Sequence, residues 1–238
     1  MRICSPHCGT TPADSGGAVY ERDLLAHLPD VHVHPARRGL GRWPVCWPAW
    51  AAAIVGCWRR ERFAILRAHS ARYVGPACVL ARRCGVTAPL VVHVHHLDPI
   101  AAAAIDRWVC RRADLVVTDS DFSRGQLAGL APQIALVAPG VTAPPPAHPA
   151  TGTYALAVGA LKPRKNIRWL VERWRGIGMQ LLVVGDGPER ARMPPHAPEV
   201  FFAGHVADDD LLAFYTHAAF LVAPSRLEGY AMPVATAQ

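Results

Sequence analysis

At 238 residues the chain is long enough for one large domain or two modest ones, and 51% apolar with 18% charged residues encodes a packed core rather than a disordered segment. The net charge of +7, carried by arginine more than lysine, attracts polyanions (nucleic acid, anionic lipid, phosphorylated small molecules) without choosing among them. Seven scattered cysteines with no CxxC pair exclude a disulfide framework and a zinc ribbon; reduced thiols in a cytoplasmic protein are the simplest reading.

Taken in chain order, short β-type runs alternate with helical patterns. Arg2–Ser5 reads as a strand, followed by a loop through Gly16-Gly17, a helix over Val19–Leu28 and a short strand over Val31–His34. Cys4 and Cys8 flank His7, but no metal site is assigned there. The start, MRICSPHCGTTP, carries no apolar signal-peptide run. The longest apolar stretch, WPVCWPAWAAAIVGCW (Trp43–Trp58), is too short for a membrane span and contains prolines, so no transmembrane helix is predicted. Pro48–Arg60 within and after it reads as a helix whose arginine-rich end suits the negative pole of the helix dipole.

Phe63–Ala68 is a strand, Tyr73–Cys84 a helix that Gly85 can stop, and Pro89–His95 a strand. A helix over Ile100–Arg112, a strand over Asp114–Thr118, a helix over Phe122–Ala131 and a strand over Ile134–Val137 complete the first half. VTAPPPAHPATGT (Val141–Thr153) then reads as a stiff linker. The pattern restarts with strands Tyr154–Val158, Gln180–Val184, Val200–Ala203 and Ala219–Val222, and helices Ile167–Arg175 and Asp208–His217. Asp208, Asp209 and Asp210 are read as capping and dipole residues, not metal ligands.

This alternation predicts an α/β protein with two Rossmann-like parallel-sheet domains, the second incomplete: residues 1–141, a Pro-rich linker 142–153, and residues 154–238. In such sheets ligands bind beyond the carboxyl ends of the strands, and two facing units would make one cleft.

Four post-strand loops carry residues suited to chemistry. In PADSGGAVYERDLL, Gly16 and Gly17 open a helix; they suit either close approach to an anion or an ordinary flexible turn. In HVHHLDP, strand periodicity puts His93 and His95 on one face and His96 on the other, which disfavours a three-histidine metal site. His95 lies at the strand's carboxyl end, where a catalytic group belongs; His93 lies deeper and reads as a core histidine. In VGALKPRKNIRWL, Lys162, Arg164 and Lys165 are delivered to a helix start, where cations oppose the dipole. An anion such as a diphosphate, bridging them and the helix amides, is the preferred explanation of that placement, and a solvated basic loop the alternative. In PSRLEGYAMPVATAQ, Glu228 follows a strand and suits either sugar hydroxyls or helix capping, Gly229 permits close backbone approach, and the amides of Tyr230, Ala231 and Met232 are expected to point outward at a helix N-terminus.

With these loops in hand, the chain resembles the GT-B glycosyltransferases, in particular the retaining family that uses nucleotide-diphosphate sugars, glycosyltransferase family 4. The resemblance is strongest in VGALKPRKN, LLVVGDGPE and FAGHVADDDLLAFYTHAAFLVAPSRLEGYAMPV, and weaker but ordered in SGGAVYERDLLAHL, VHVHHLDP and ADLVVTDSDFSR. It implies that Lys165, with Arg164 beside it, binds the donor diphosphate, although Ala160 stands where a second basic residue often lies. It implies that His95 lies near the reacting sugar, Gly17 near the phosphates, Val206 where backbone contacts the base, and Glu228 at the donor sugar. The family's second acid, eight positions after Glu228, falls on Thr236, and the family's C-terminal domain runs further, so the resemblance implies a shortened chain.

The implied reaction moves a sugar to an acceptor hydroxyl with retention, with no metal or other cofactor, a glycan or lipid-linked acceptor, and no nucleic-acid partner. The alternative is an impaired fragment that only binds nucleotide or a partner. The tryptophan-rich helix with Arg59, Arg60 and Arg62 after it suits either a buried helix with a solvated arginine end, the preferred reading, or peripheral membrane contact. A nicotinamide enzyme is disfavoured because no GxGxxG follows the first strand.

Overall fold

The computed structural model describes residues 2–6, 21, 24, 26–27, 32–33, 44–95, 103–141, 152–193 and 198–237. The chain forms two compact units, Met1–Pro139 and Gly140–Gln238. The predicted linker lies mostly outside the described residues, as do Gly16, Gly17, His7, Cys8 and His96.

The first unit is built on six parallel strands: β1 (Ile3–Cys4), β2 (His32–Val33), β3 (Ile65–Ala68), β4 (Leu90–Val94), β5 (Leu115–Thr118) and β6 (Ile134–Leu136). Their order is β2-β1-β3-β4-β5-β6: the chain steps from β1 to β2, crosses back over β1 to β3, and then moves to the adjacent strand each time. Helices α1 (Trp47–Glu61), α2 (Gly75–Arg83), α3 (Ala103–Cys110) and α4 (Asp121–Leu127) return the chain to the sheet's starting edge.

The α1 helix buries Trp50, Ala51, Ile54 and Cys57, a spacing that makes one stripe, and leaves Arg59 and Arg60 in its last turn. The stripe packs into a core with Leu66, Leu90, Val92 and Val116 from the strands and Cys78 and Val109 from the next helices. At the start of α2 a Cβ on Gly75 would lie 2.6 Å from Val109 Cγ1, so only glycine lets α2 approach α3 this closely. Among the described residues no helix is long and apolar enough to cross a membrane.

The second unit repeats the plan with β7 (Tyr154–Val158), β8 (Gln180–Val184), β9 (Val200–Gly204) and β10 (Ala218–Leu221), all parallel, in the order β10-β7-β8-β9. Helix α5 (Ile167–Arg173) lays Ile167, Leu170 and Val171 on Ala155, Ala157, Leu181 and Val183. Helices α6 (Asp208–His217) and α7 (Met232–Thr236) complete it. The capping reading of the three aspartates needs correction: the residue before α6 is Ala207, with no capping side chain, and Asp208, Asp209 and Asp210 occupy the first turn. Their contribution is charge at the positive pole of the dipole.

Candidate functional site

In the second unit the strand ends are locked together by glycine. Gly185 has φ +125°, and a Cβ there would lie 2.2 Å from the Gly159 carbonyl oxygen; Gly187, at φ +158°, would put one 2.6 Å from Leu161 O. The closeness lets the loops after β7 and β8 hydrogen-bond directly: Gly159 N donates to Val184 O at 2.9 Å, Leu161 N to Asp186 O at 2.9 Å, and Glu189 N to Leu161 O at 3.0 Å. The loop carrying the predicted cations therefore has a fixed base.

From that base, Pro163–Lys165 makes a single 3-10 turn and Asn166 turns left-handed (φ +56°) into α5. Asparagine tolerates this conformation better than most residues. The segment after β10 is stitched onto the same turn. Asn166 Nδ2 donates to Pro224 O at 3.2 Å, Arg226 N to Arg164 O at 2.8 Å, and Arg164 Nη1 to Leu227 O at 3.3 Å.

These contacts bring Glu228 between two cations, with Lys165 Nζ 2.5 Å from Oε1 and Arg164 Nη1 3.2 Å from Oε2. Burial pushes the Glu228 carboxyl up, but hydrogen bonds from Lys165 and Ser225 and the charges of Lys165 and Arg164 outweigh it and hold the group below its ordinary value. The crevice around Lys165 and Glu228, bounded by Val158, Ile167, Ser225 and Ala231, has about 10 Å³ of free volume, room for roughly one water. Cations and carboxylate are thus packed against one another.

The remaining predicted donor residues divide. Lys162 is exposed and lines a separate hollow with Trp169 and Arg226. Gly229, Tyr230 and Ala231 precede α7, but the Met232 amide is taken by Tyr230 O at 2.9 Å, so it does not project outward as expected. Val206 follows Gly204, whose carbonyl accepts from Gly185 N at 2.7 Å. Thr236 is the last residue of α7.

In the first unit His95 follows β4 and shares its partners with the turn after β5. Thr118 Oγ1 donates to Val94 O at 2.7 Å, Ser123 Oγ to His95 O at 2.9 Å, and His95 Nδ1 lies 3.0 Å from Asp119 Oδ2. Ser120 caps α4 by accepting from Ser123 N at 3.2 Å, which fixes the turn. His93, two residues earlier on β4, accepts from Arg67 Nε at 3.1 Å. Arg67 in turn makes a bidentate ion pair with Glu21, both side chains buried. Burial first, and then the Arg67 charge, push His93 down to about 3, so it stays neutral. Burial raises the Glu21 carboxyl, but the hydrogen bond and charge of Arg67, with His69 and His93, bring it below its ordinary value.

Glu21, Arg67, Asp119 and Ser123 are functional candidates that the motif reading did not single out. Arg67 sits mid-strand and Glu21 mid-pattern, and only the fold joins them. Asp119 had a visible signal: a carboxylate directly after an apolar strand, where buried acids need a partner.

The match to known proteins agrees with this layout. The family model described as Glycosyltransferase Family 4 matches residues 3–143, and the one described as Glycosyl transferases group 1 matches residues 152–238. No curated protein matches the sequence. Among solved structures, the chain is similar to sucrose-phosphate synthase from Thermosynechococcus elongatus (18% identity, 99% of this chain and 78% of that one, TM-score 0.76). It is also similar to Anabaena Alr3699/HepE in complex with UDP (16%, 100% and 78%, TM-score 0.70). A third similar structure is the apo form of the lipopolysaccharide outer core galactosyltransferase WaaB (14%, 99% and 77%, TM-score 0.70). At these identities the likeness is one of fold, the GT-B fold.

Proposed function

This chain belongs to glycosyltransferase family 4 and is a glycosyltransferase, and we propose that it moves a sugar from a nucleoside diphosphate to an acceptor hydroxyl with retention of the anomeric configuration. The observation that carries this reading is the convergence of Lys165 and Arg164 on Glu228 at the carboxyl ends of β7 and β10. Two cations and one carboxylate suit a diphosphate joined to a sugar: the cations take the phosphate oxygens, the carboxylate takes sugar hydroxyls. UDP bound in the HepE structure supports a nucleotide donor.

In the reaction the anomeric carbon–oxygen bond to the diphosphate breaks, and charge grows on the leaving phosphate. Lys165 and Arg164 stabilise that charge where it develops, which is the larger part of the catalytic effect. The acceptor oxygen bonds to the anomeric carbon on the face the diphosphate leaves, and its proton passes to a phosphate oxygen of the departing group. His95 acts as a hydrogen-bonding group beside the reacting sugar. Glycan or lipid-linked hydroxyls are the proposed acceptors. Because the crevice is closed, the donor displaces Glu228 from Lys165 as it binds.

Isothermal titration with UDP, GDP and UMP tests the donor site. UDP or GDP is expected to bind more tightly than UMP, and Lys165→Ala to weaken the diphosphate about 10- to 100-fold, the worth of one charge-assisted hydrogen bond. Equal affinity for mono- and diphosphate, or none at millimolar nucleotide, would overturn the reading in favour of a chain that binds something else.

A further inference from the structure

We propose that Asp119 is a positioning residue: it accepts the Nδ1–H of His95 and fixes which ring nitrogen faces the substrate. The inference rests on the reading of His95 as a group beside the reacting sugar.

The register places the two residues together. The strands β4 and β5 are parallel and end on the pair Val94 and Thr118, so residues 95 and 119 leave the sheet side by side. Asp119 is 7% exposed, and its Oδ2 lies 3.0 Å from His95 Nδ1. Its other oxygen, Oδ1, is buried with no hydrogen-bond partner among the described residues. A carboxylate is costly to bury and is kept only where it is hydrogen-bonded or paired, so the contact with His95 accounts for its presence. A carboxylate only accepts, so the shared proton sits on Nδ1, and Nε2 carries a lone pair rather than a proton.

The surrounding hydrogen bonds remove the other freedoms of His95. Thr118 holds the carbonyl of Val94, and Ser123 holds that of His95 itself. Thr118 and Ser123 are 2% and 1% exposed, so these contacts are shielded from water. With the backbone pinned from the β5–α4 turn, only ring rotation remains, and Asp119 fixes it.

His93 shows the contrast. Its partner is a donor, Arg67, and burial together with that charge holds the ring neutral. His95 has an acceptor, Asp119, which orders a proton on Nδ1. Arg67, Glu21 and His69 cluster around His93 on this face of the sheet, and Asp119 comes from β5, so the two histidines are held for different tasks.

Nitrogen-15 NMR of histidine-labelled full-length protein, with His95 assigned through its backbone, reads the tautomer without any substrate. Wild type is expected in the Nδ1–H form, and Asp119→Asn, whose amide can donate, is expected to move His95 toward the Nε2–H form. Release of UDP or GDP from UDP-glucose, UDP-galactose, UDP-N-acetylglucosamine and GDP-mannose supplies the kinetic arm. Asp119→Asn is expected to lower kcat roughly 10- to 100-fold with little change in KM, as a misplaced group does. Ser123→Ala, which leaves the carboxylate in place, is expected to keep the Nδ1–H tautomer. A wild-type His95 in the Nε2–H form, or an Asp119→Asn enzyme with undiminished kcat while His95→Gln is impaired, would overturn the proposal. Undiminished turnover by His95→Gln would instead remove the role of His95, and that of Asp119 with it.

Discussion

Glu228 does two things at once: it neutralises Lys165 and Arg164, and it closes the crevice that Lys165 lines. A diphosphate must compete with it for the same charges. Glu228→Gln keeps the shape and removes the charge, so the variant is expected to bind free UDP or GDP several-fold more tightly than wild type. It is also expected to turn over donor sugar more slowly, because the sugar loses a charged hydrogen-bond partner worth about 1.5–3 kcal/mol. Titration calorimetry and donor turnover on the same preparation read both effects, and a variant weaker in both would show that Glu228 is a scaffold for the cations rather than their competitor. Thr236 gives the opposite experiment. Thr236→Glu introduces the acid that the resemblance expects at that position, and nucleoside affinity is expected to rise about tenfold, one charge-assisted bond to a ribose hydroxyl. No gain with UDP over inorganic pyrophosphate would mean that α7 does not carry Thr236 to the ribose.

At the scale of elements, the base of the donor loop depends on backbone that only glycine can supply. Gly185→Ala places a methyl group against the Gly159 carbonyl at a left-handed φ of +125°, and the loops after β7 and β8 must separate. The expected cost is at least about 2 kcal/mol. Urea unfolding measures it, and UDP affinity should fall in parallel because Lys165 stands on the displaced loop. The elements themselves were legible in the sequence: apolar runs of four or five residues such as Leu115–Thr118 and Gln180–Val184 sit between helical patterns that are separately periodic. So was the place of the cation loop, since VGALKPRKN sets Arg164 and Lys165 between an apolar strand and the helix that begins at Ile167. What was not legible is whatever depends on register between strands. Asp119 meets His95 because Thr118 is opposed to Val94, and Arg67 meets Glu21 across 46 positions of sequence. The outward amide of Met232 was misread for a local reason: the chain turns tightly enough before α7 for Tyr230 to accept it.

At the scale of the whole molecule, the histidine and carboxylates with shifted protonation all act on stability in the same direction, but in different pH windows. The folded chain holds His93 at about 3, against 6.5 for the free side chain. Between those values the unfolded chain binds a proton that the folded chain refuses, so stability falls as pH drops below 6.5, by up to about 1.4 kcal/mol per unit. Glu21 and Glu228 are held below the ordinary carboxylate value of 4.5, so their contribution is intact above it and lost only as pH falls through their lowered folded values. The acid limb should therefore have two stages, with His93 dominating the first. From pH 6.5 to 5.0 the first unit is expected to lose about 1.6 kcal/mol. His93→Gln preserves an acceptor for Arg67 but cannot titrate, and is expected to flatten that stage while leaving the steeper loss below pH 4.5. Hydrogen exchange of the β3–β5 peptides followed by mass spectrometry assigns the loss to the unit that contains His93. If His93→Gln kept the wild-type slope between pH 6.5 and 5.0, the buried Arg67–His93 contact would not be what couples this unit to acid.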